Sequence, residues 1–232
     1  MEMPQINLVD FFKYFEGQPH QLEAIQLLQT SMNDSLLRND SAWVEKFREE
    51  PKEPKAPITI TPDLMHRLTG YSPESFDDLF CSDCNDLFSD TGFSGSLEAM
   101  QMLMANMMHE TCNFVFMDEI ADGWAYENRA DLGNTEPGDG PRFKGAGVLM
   151  LTGRYNYSRL AQATGDMRVM EGCEYVTNNY PFTSAEIWIK DNDLYNVCLE
   201  QGFDACCYRI NGGWNGYDDR RAKFEICKKE MV

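Results

Sequence analysis

One segment constrains this chain more than any other. Leu97, Met100, Leu103, Met104, Met107 and Met108 recur at the spacing of a single helical face, directly after Ser96, a residue suited to cap a helix. A stripe of that length must be covered by other elements, so it predicts the central helix of an α-rich domain. Methionine can also make an adaptable binding face, but core packing is its commoner use. Thr61-Pro62 ahead of Leu64 and Leu68 opens a second helix, with proline tolerated in the first turn. Thr183-Ser184-Ala185-Glu186 has the form of a capping box and predicts a helix ending near Gly202. Further helices are expected over 153–164 and 216–229. Between them, residues 124–151 are rich in Gly, Asn, Asp and Pro, with short β runs at 142–143 and 148–151. The expected fold class is mainly α, a helical domain with a small β element beside a central helix.

The chain has 232 residues, room for one domain and a small appendage. Short helical patterns at 7–15, 21–32 and 42–48 make residues 1–49 a helical extension or small accessory module. Residues 50–57 follow as a linker, where Pro51, Pro54 and Pro57 alternate with charges and forbid a continuous helix. Residues 58–232 then form the main domain.

A formal net charge of −18 argues against nucleic acid, which is bound through clustered Lys and Arg. It suits solubility, and it favours an uncharged partner or high salt. No apolar run of about eighteen residues occurs, so no membrane insertion is expected. Residues 1–18 carry Glu2 and Asp10 and lack a basic region followed by an apolar stretch, so a secretory signal is not expected and the chain should begin in a cytoplasm. Eight cysteines are expected as reduced thiols. Cys81 and Cys84 form a C-x2-C pair with no second pair or nearby His, so core or loop thiols are a better reading than a metal site, and no cofactor is implied.

Acidic residues carry the candidate chemistry. Glu110 closes the methionine-rich helix among Met107, Met108, Phe114 and Phe116, where the helix C-terminal dipole and desolvation disfavour a carboxylate. That is the setting of a general acid, and splitting a glycosidic bond needs such an acid opposite a second carboxylate. His109 reads as a structural hydrogen-bonder. For the second carboxylate, Glu119, Asp122, Glu127, Asp131, Glu136 and Asp139 all lie in the following irregular segment, and spacing does not choose among them.

Four blocks in order carry a family resemblance: Met108-His109-Glu110-Thr111; Gly123-Trp124-Ala125-Tyr126-Glu127-Asn128-Arg129-Ala130-Asp131-Leu132-Gly133-Asn134 with Pro137-Gly138-Asp139-Gly140; Arg142-Phe143-Lys144-Gly145 with Leu151-Thr152-Gly153-Arg154-Tyr155-Asn156-Tyr157; and Arg209-Ile210-Asn211-Gly212-Gly213 with Asn215-Gly216 and Arg220. Over roughly 58–230 the chain resembles glycoside hydrolase family 19, the chitinases and phage endolysins of the lysozyme-like superfamily. The resemblance implies an α+β lysozyme-like fold with a catalytic cleft. It implies Glu110 as general acid, Glu127 as the base that activates water, with Glu119 in reserve, and Thr152 as the hydroxyl that helps place that water. Asn156 and Asn211 fall on sugar-binding positions, Trp124 and Tyr126 offer flat faces to a sugar, and Arg129 could orient Glu127. The family inverts at the anomeric carbon, which needs carboxyls about 6.5–9.5 Å apart.

Two positions depart from the pattern. Gly145-Ala146-Gly147 lacks the family's central arginine, and Met150 replaces its substrate-binding glutamine. The resemblance implies an endolysin or muramidase acting on peptidoglycan, accumulating in a host cytoplasm before reaching the bacterial wall. The alternatives are an endochitinase acting on N-acetylglucosamine polymers, or a catalytically weakened glycan-binding phage component. The expected partner is the polysaccharide alone, with the protein a monomer.

Overall fold

The computed structural model describes residues 58–232. The chain divides into two units, Met1–Glu53 and Pro54–Val232, and all described residues belong to the second. The helices expected within 1–49 and the linker at 50–57 lie outside the described residues.

The domain is helical, with α1 Pro62–Thr69, α2 Asp78–Asp90, α3 Leu97–Glu110, α4 Asp139–Arg142, α5 Arg154–Thr164, α6 Cys173–Asn179, α7 Thr183–Asp191, α8 Leu194–Asn211 and α9 Tyr217–Glu230. The caps follow the sequence. Thr61 Oγ1 accepts from the Leu64 amide at 3.2 Å to start α1, and Ser96 Oγ accepts from the Ala99 amide at 3.3 Å to start α3. Helix α3 is the axis of the domain, with α8 and α9 packed against it. Every residue from Ala99 to Met108 is buried, so the apolar stripe is one side of a helix enclosed on all sides. Its two buried amides are satisfied: Gln101 Nε2 donates to the Met231 carbonyl at 2.9 Å and Asn106 Nδ2 to the Met102 carbonyl at 2.9 Å.

Cys81 and Cys84 sit three residues apart on α2, both buried against the main core. All eight cysteines are unbridged. A second, smaller core gathers Phe143, Leu151, Tyr157, Leu160 and Val176 under the irregular segment. Among the described residues no helix is long and apolar enough to cross a membrane.

Three expectations are corrected. The small β element is present only as two isolated antiparallel bridges, Asp118 to Ala146 and Ala146 to Leu151, while Arg142 closes the short helix α4. Thr183-Glu186 makes no capping box, because buried Phe182 takes the cap position in helical rather than extended conformation, and Glu186 pairs instead with Lys190 at 3.0 Å. That helix ends at Asp191, and Gly202 (φ 78°, ψ −168°) lies inside α8 as a kink that the chain passes through before stopping at Gly212.

Candidate active site

Glu110 is the last residue of α3, and the chain turns sharply after it. Cys112, Asn113 and Phe114 all adopt left-handed backbone (φ 49°, 62° and 67°), a costly conformation for side-chain-bearing residues. The surroundings hold it there. Buried Thr111 donates Oγ1 to the Met107 carbonyl at 2.7 Å and accepts from the Phe114 amide at 2.8 Å. The Phe114 ring in turn meets Phe80 edge-on at 5.5 Å. The turn aims Glu110 out of the core while its helix stays inside it.

Arg220, on α9 and 1% exposed, faces Glu110 from the other side. Its Nη2 donates to Glu110 Oε1 and its Nη1 to Asn106 Oδ1 at 2.7 Å. One planar guanidinium thus orients the Glu110 carboxyl group from a buried position, so its surroundings are not the purely apolar ones expected from its sequence neighbours. His109 does what was expected of it: Nδ1 bonds Asp219 Oδ2 at 2.6 Å, and its ring lies over Gly216, where a Cβ would meet it at 2.2 Å.

Glu119 shares one cleft with Glu110, as does Asp118, whose carboxylate is paired with Lys144 Nζ at 3.3 Å. The cleft is about 290 Å³, with Phe116, Ile120 and Met150 among its walls. Glu119 Oε1 accepts from the Tyr126 hydroxyl at 3.0 Å and Oε2 from the Gly145 amide at 3.0 Å. Burial, and then the bond to Glu119, push the Tyr126 phenol above its usual range, so it stays a donor. Gly145 permits this close approach, since a Cβ there would stand 3.2 Å from Glu119 Oε2. Lys144 gathers the surrounding loop: Nζ donates to the Glu119 carbonyl, to Asp118 Oδ2 at 3.3 Å and to the Ala121 carbonyl at 3.3 Å. The Tyr157 hydroxyl anchors Lys144 through its carbonyl at 2.6 Å.

Glu127 is placed differently. Its two oxygens accept from the Gly138 and Gly140 amides, each at 2.8 Å, and it is not among the residues lining the cleft. Arg129 does not orient it, because the guanidinium is taken by Asp131 in a bidentate pair at 2.6–2.7 Å. Thr152 donates Oγ1 to the Met150 carbonyl at 2.8 Å and does not cap α5, whose cap position is Gly153. Asn156 Nδ2 bonds the Thr152 carbonyl at 2.8 Å, and Asn211 Oδ1 accepts from the Asn215 amide at 3.3 Å. Trp124 is 60% exposed. Met150 lines the cleft, whereas Ala146 is fully enclosed in the smaller core and contributes no side chain to it.

Much of the motif region is scaffold. Asn134, fully buried, donates to the Tyr126 carbonyl at 2.9 Å and accepts from the Arg154 amide at 2.8 Å. Asp139 is 1% exposed and accepts from Arg154 Nε at 2.7 Å and from the Thr135 and Glu136 amides. The Arg154 guanidinium holds the Asp139 carboxyl below the usual range. Sequence reasoning missed the roles of Lys144 and Arg220, although both stood inside quoted motifs. A basic residue at a motif's edge was the available signal.

No family model matches the chain. A curated relative from Haemophilus influenzae, named a glycosyl hydrolase family 19 domain-containing protein, is 30% identical over 102 residues, which are 44% of this chain and 49% of the relative. The chain thus matches about half the length of that relative. Chitinase C from Streptomyces griseus superposes with a TM-score of 0.55 at 16% identity, covering 75% of this chain and 93% of that one. A class IV family 19 chitinase from Zea mays superposes with a TM-score of 0.58 at 16% identity, covering 75% and 92%. The chain has the family 19 glycoside hydrolase fold. Within the family 19 fold, helix α3 ends at the cleft on Glu110, and the loop after it returns Glu119 to the same cleft.

Proposed function

We propose that this chain is an inverting glycoside hydrolase that cleaves β-1,4 bonds in an N-acetylated glycan, with Glu110 as acid and Glu119 as base. The observation that carries the reading is that these two carboxylates line one cleft and Glu127 does not. Glu110 protonates the glycosidic oxygen as the bond from the anomeric carbon breaks. Glu119 removes a proton from a water that attacks the same carbon from the opposite face. Tyr126 and the Gly145 amide keep both Glu119 oxygens occupied as acceptors and so fix the base in place. On the strength of the motif resemblance alone, Thr152 enters as the hydroxyl that helps place the attacking water, and Asn156, Asn211 and Trp124 as sugar-contact candidates.

Peptidoglycan is the substrate we favour, as for a phage endolysin acting on the bacterial wall, because the 123–140 block resembles the phage and bacterial pattern. A second reading, an endochitinase, draws on the solved chitinases that share the fold. Incubating the wild type, Glu110→Gln and Glu119→Gln with purified peptidoglycan and with an N-acetylglucosamine hexamer decides between them. Mass spectrometry of the products identifies the bond, and proton NMR reads the anomer first released. We expect α-anomer products from the wild type and losses of about 10²–10⁴-fold in each variant. No product from the wild type on either substrate overturns the enzyme reading, and initial β-anomer overturns inversion.

A further inference from the structure

An aromatic-lined depression lies beyond His109. It has a volume of about 380 Å³ and is lined by Trp214, Gly216, Tyr217, Asp218 and Asp219. Trp214 is 57% exposed and Tyr208 beside it 50% exposed, a large aromatic area to leave in water. The rings support one another: Tyr208 and Trp214 lie 5.5 Å apart, and Trp214 meets Tyr217 edge-on at 5.2 Å. Their orientation is held from below, where Tyr217 donates its hydroxyl to Asp204 and its ring faces Phe203 at 6.2 Å.

The charges around these rings decide what kind of ligand fits. An aromatic cluster among carboxylates could hold a cation. Here, however, Asp204 is taken by the Tyr217 hydroxyl, and Asp219 by His109 at 2.6 Å and Lys223 at 3.4 Å. Only Asp218 faces the depression without a partner among the described residues. Exposed aromatic faces with one spare acceptor match a neutral sugar ring, whose apolar face stacks while its hydroxyls donate.

The depression and the cleft share no lining residue, but they are linked by one residue-to-residue contact. Gly216 forms part of the depression's lining and supports the His109 ring, whose neighbour is Glu110. We propose that Trp214, with Tyr208 and Asp218, binds N-acetylated sugar units of the glycan away from the scissile bond. The platform retains long chains and adds little for short ones. This rests on the glycosidase reading above.

The test uses Glu110→Gln protein, which binds without turnover, and titrates the N-acetylglucosamine hexamer and dimer by calorimetry. Trp214→Ala and Tyr208→Ala in that background should each weaken hexamer binding by about tenfold and dimer binding by much less. Trp214→Phe, which keeps a flat face, should recover most of the loss. Leu199→Ala, an exposed residue elsewhere on α8, serves as the control with unchanged binding. With active protein, the same two alanine variants should raise KM on soluble un-cross-linked peptidoglycan strands. Unchanged hexamer affinity and KM in Tyr208→Ala and Trp214→Ala, in a protein that still turns glycan over, overturn the platform alone. Competitive displacement of the hexamer by choline overturns the choice of a neutral sugar over a cation. Absence of turnover in the wild type is the separate failure of the glycosidase reading.

Discussion

Arg220, enclosed on α9, donates Nη2 to the Glu110 carboxylate while Nη1 holds Asn106 on the preceding turn of α3. Two acceptors one turn apart are thereby fixed to one guanidinium plane. Replacing it with alanine strands both, and a broken buried pair costs about 3 kcal/mol. Denaturant unfolding of Arg220→Ala should show that loss. Arg220→Lys should fold better yet lose at least about tenfold in kcat, since an ammonium cannot reproduce the fork. A lysine variant with wild-type kcat would remove Arg220 from the site.

Glu119 and Glu127 separate by their partners. Glu119→Gln should abolish turnover with little change in melting temperature. Glu127→Gln should lower stability by about 1–2 kcal/mol, because its amide presents one acceptor oxygen to the two loop amides, and should retain turnover. The reverse pattern would return the base to Glu127.

Tyr126→Phe removes one of the two donors on Glu119 without emptying the space. We expect kcat to fall about tenfold with KM nearly unchanged, consistent with one lost hydrogen bond to a charged group. Steady-state kinetics that show only a KM increase would mean that Tyr126 touches sugar rather than the base.

Gly165 and Gly216 share a backbone conformation (φ 69° and 70°) but not surroundings. Nothing lies within 4 Å of a Cβ at Gly165, while one at Gly216 would strike the His109 ring. Gly165→Ala should therefore cost about 1 kcal/mol from the backbone alone. Gly216→Ala should cost more and should reduce activity by displacing the residue next to Glu110. Equal melting temperatures for the two would contradict the contact.

Asp139 gives the pH dependence its sign. Its folded-state pKa is depressed, chiefly by Arg154, so its contribution is present above the unfolded value near 4 and is lost as pH falls through the lower folded value. Arg154→Met should shift the acid-unfolding midpoint, followed by circular dichroism, to higher pH. An unshifted midpoint would show that the pair does not govern acid stability.

The helices were legible because their signals are local. Ser96 and Thr61 cap through their own next turn, and the methionine stripe announces a buried helix at any length scale. The capping box at Thr183 failed because the core, by burying Phe182, chose a different residue for the cap. The β runs failed for two reasons: Arg142 is taken into a short helix, and the bridge at Ala146 needs Asp118, 28 residues earlier in the chain.

By itself the sequence determined the helical domain, the family 19 resemblance and the position of Glu110 at the end of the central helix. These rest on periodicity, caps and short motifs, whose physics acts over a few residues. Only the tertiary structure shows which acids share a cleft with Glu110: Asp118 and Glu119 line it and Glu127 does not. Glu119 and Glu127 are chemically identical, and their difference lies in the amides of Gly145, Gly138 and Gly140, which the folded chain alone brings to them. The same holds for Arg220, 110 residues from Glu110 and bonded to it only because α9 packs on α3.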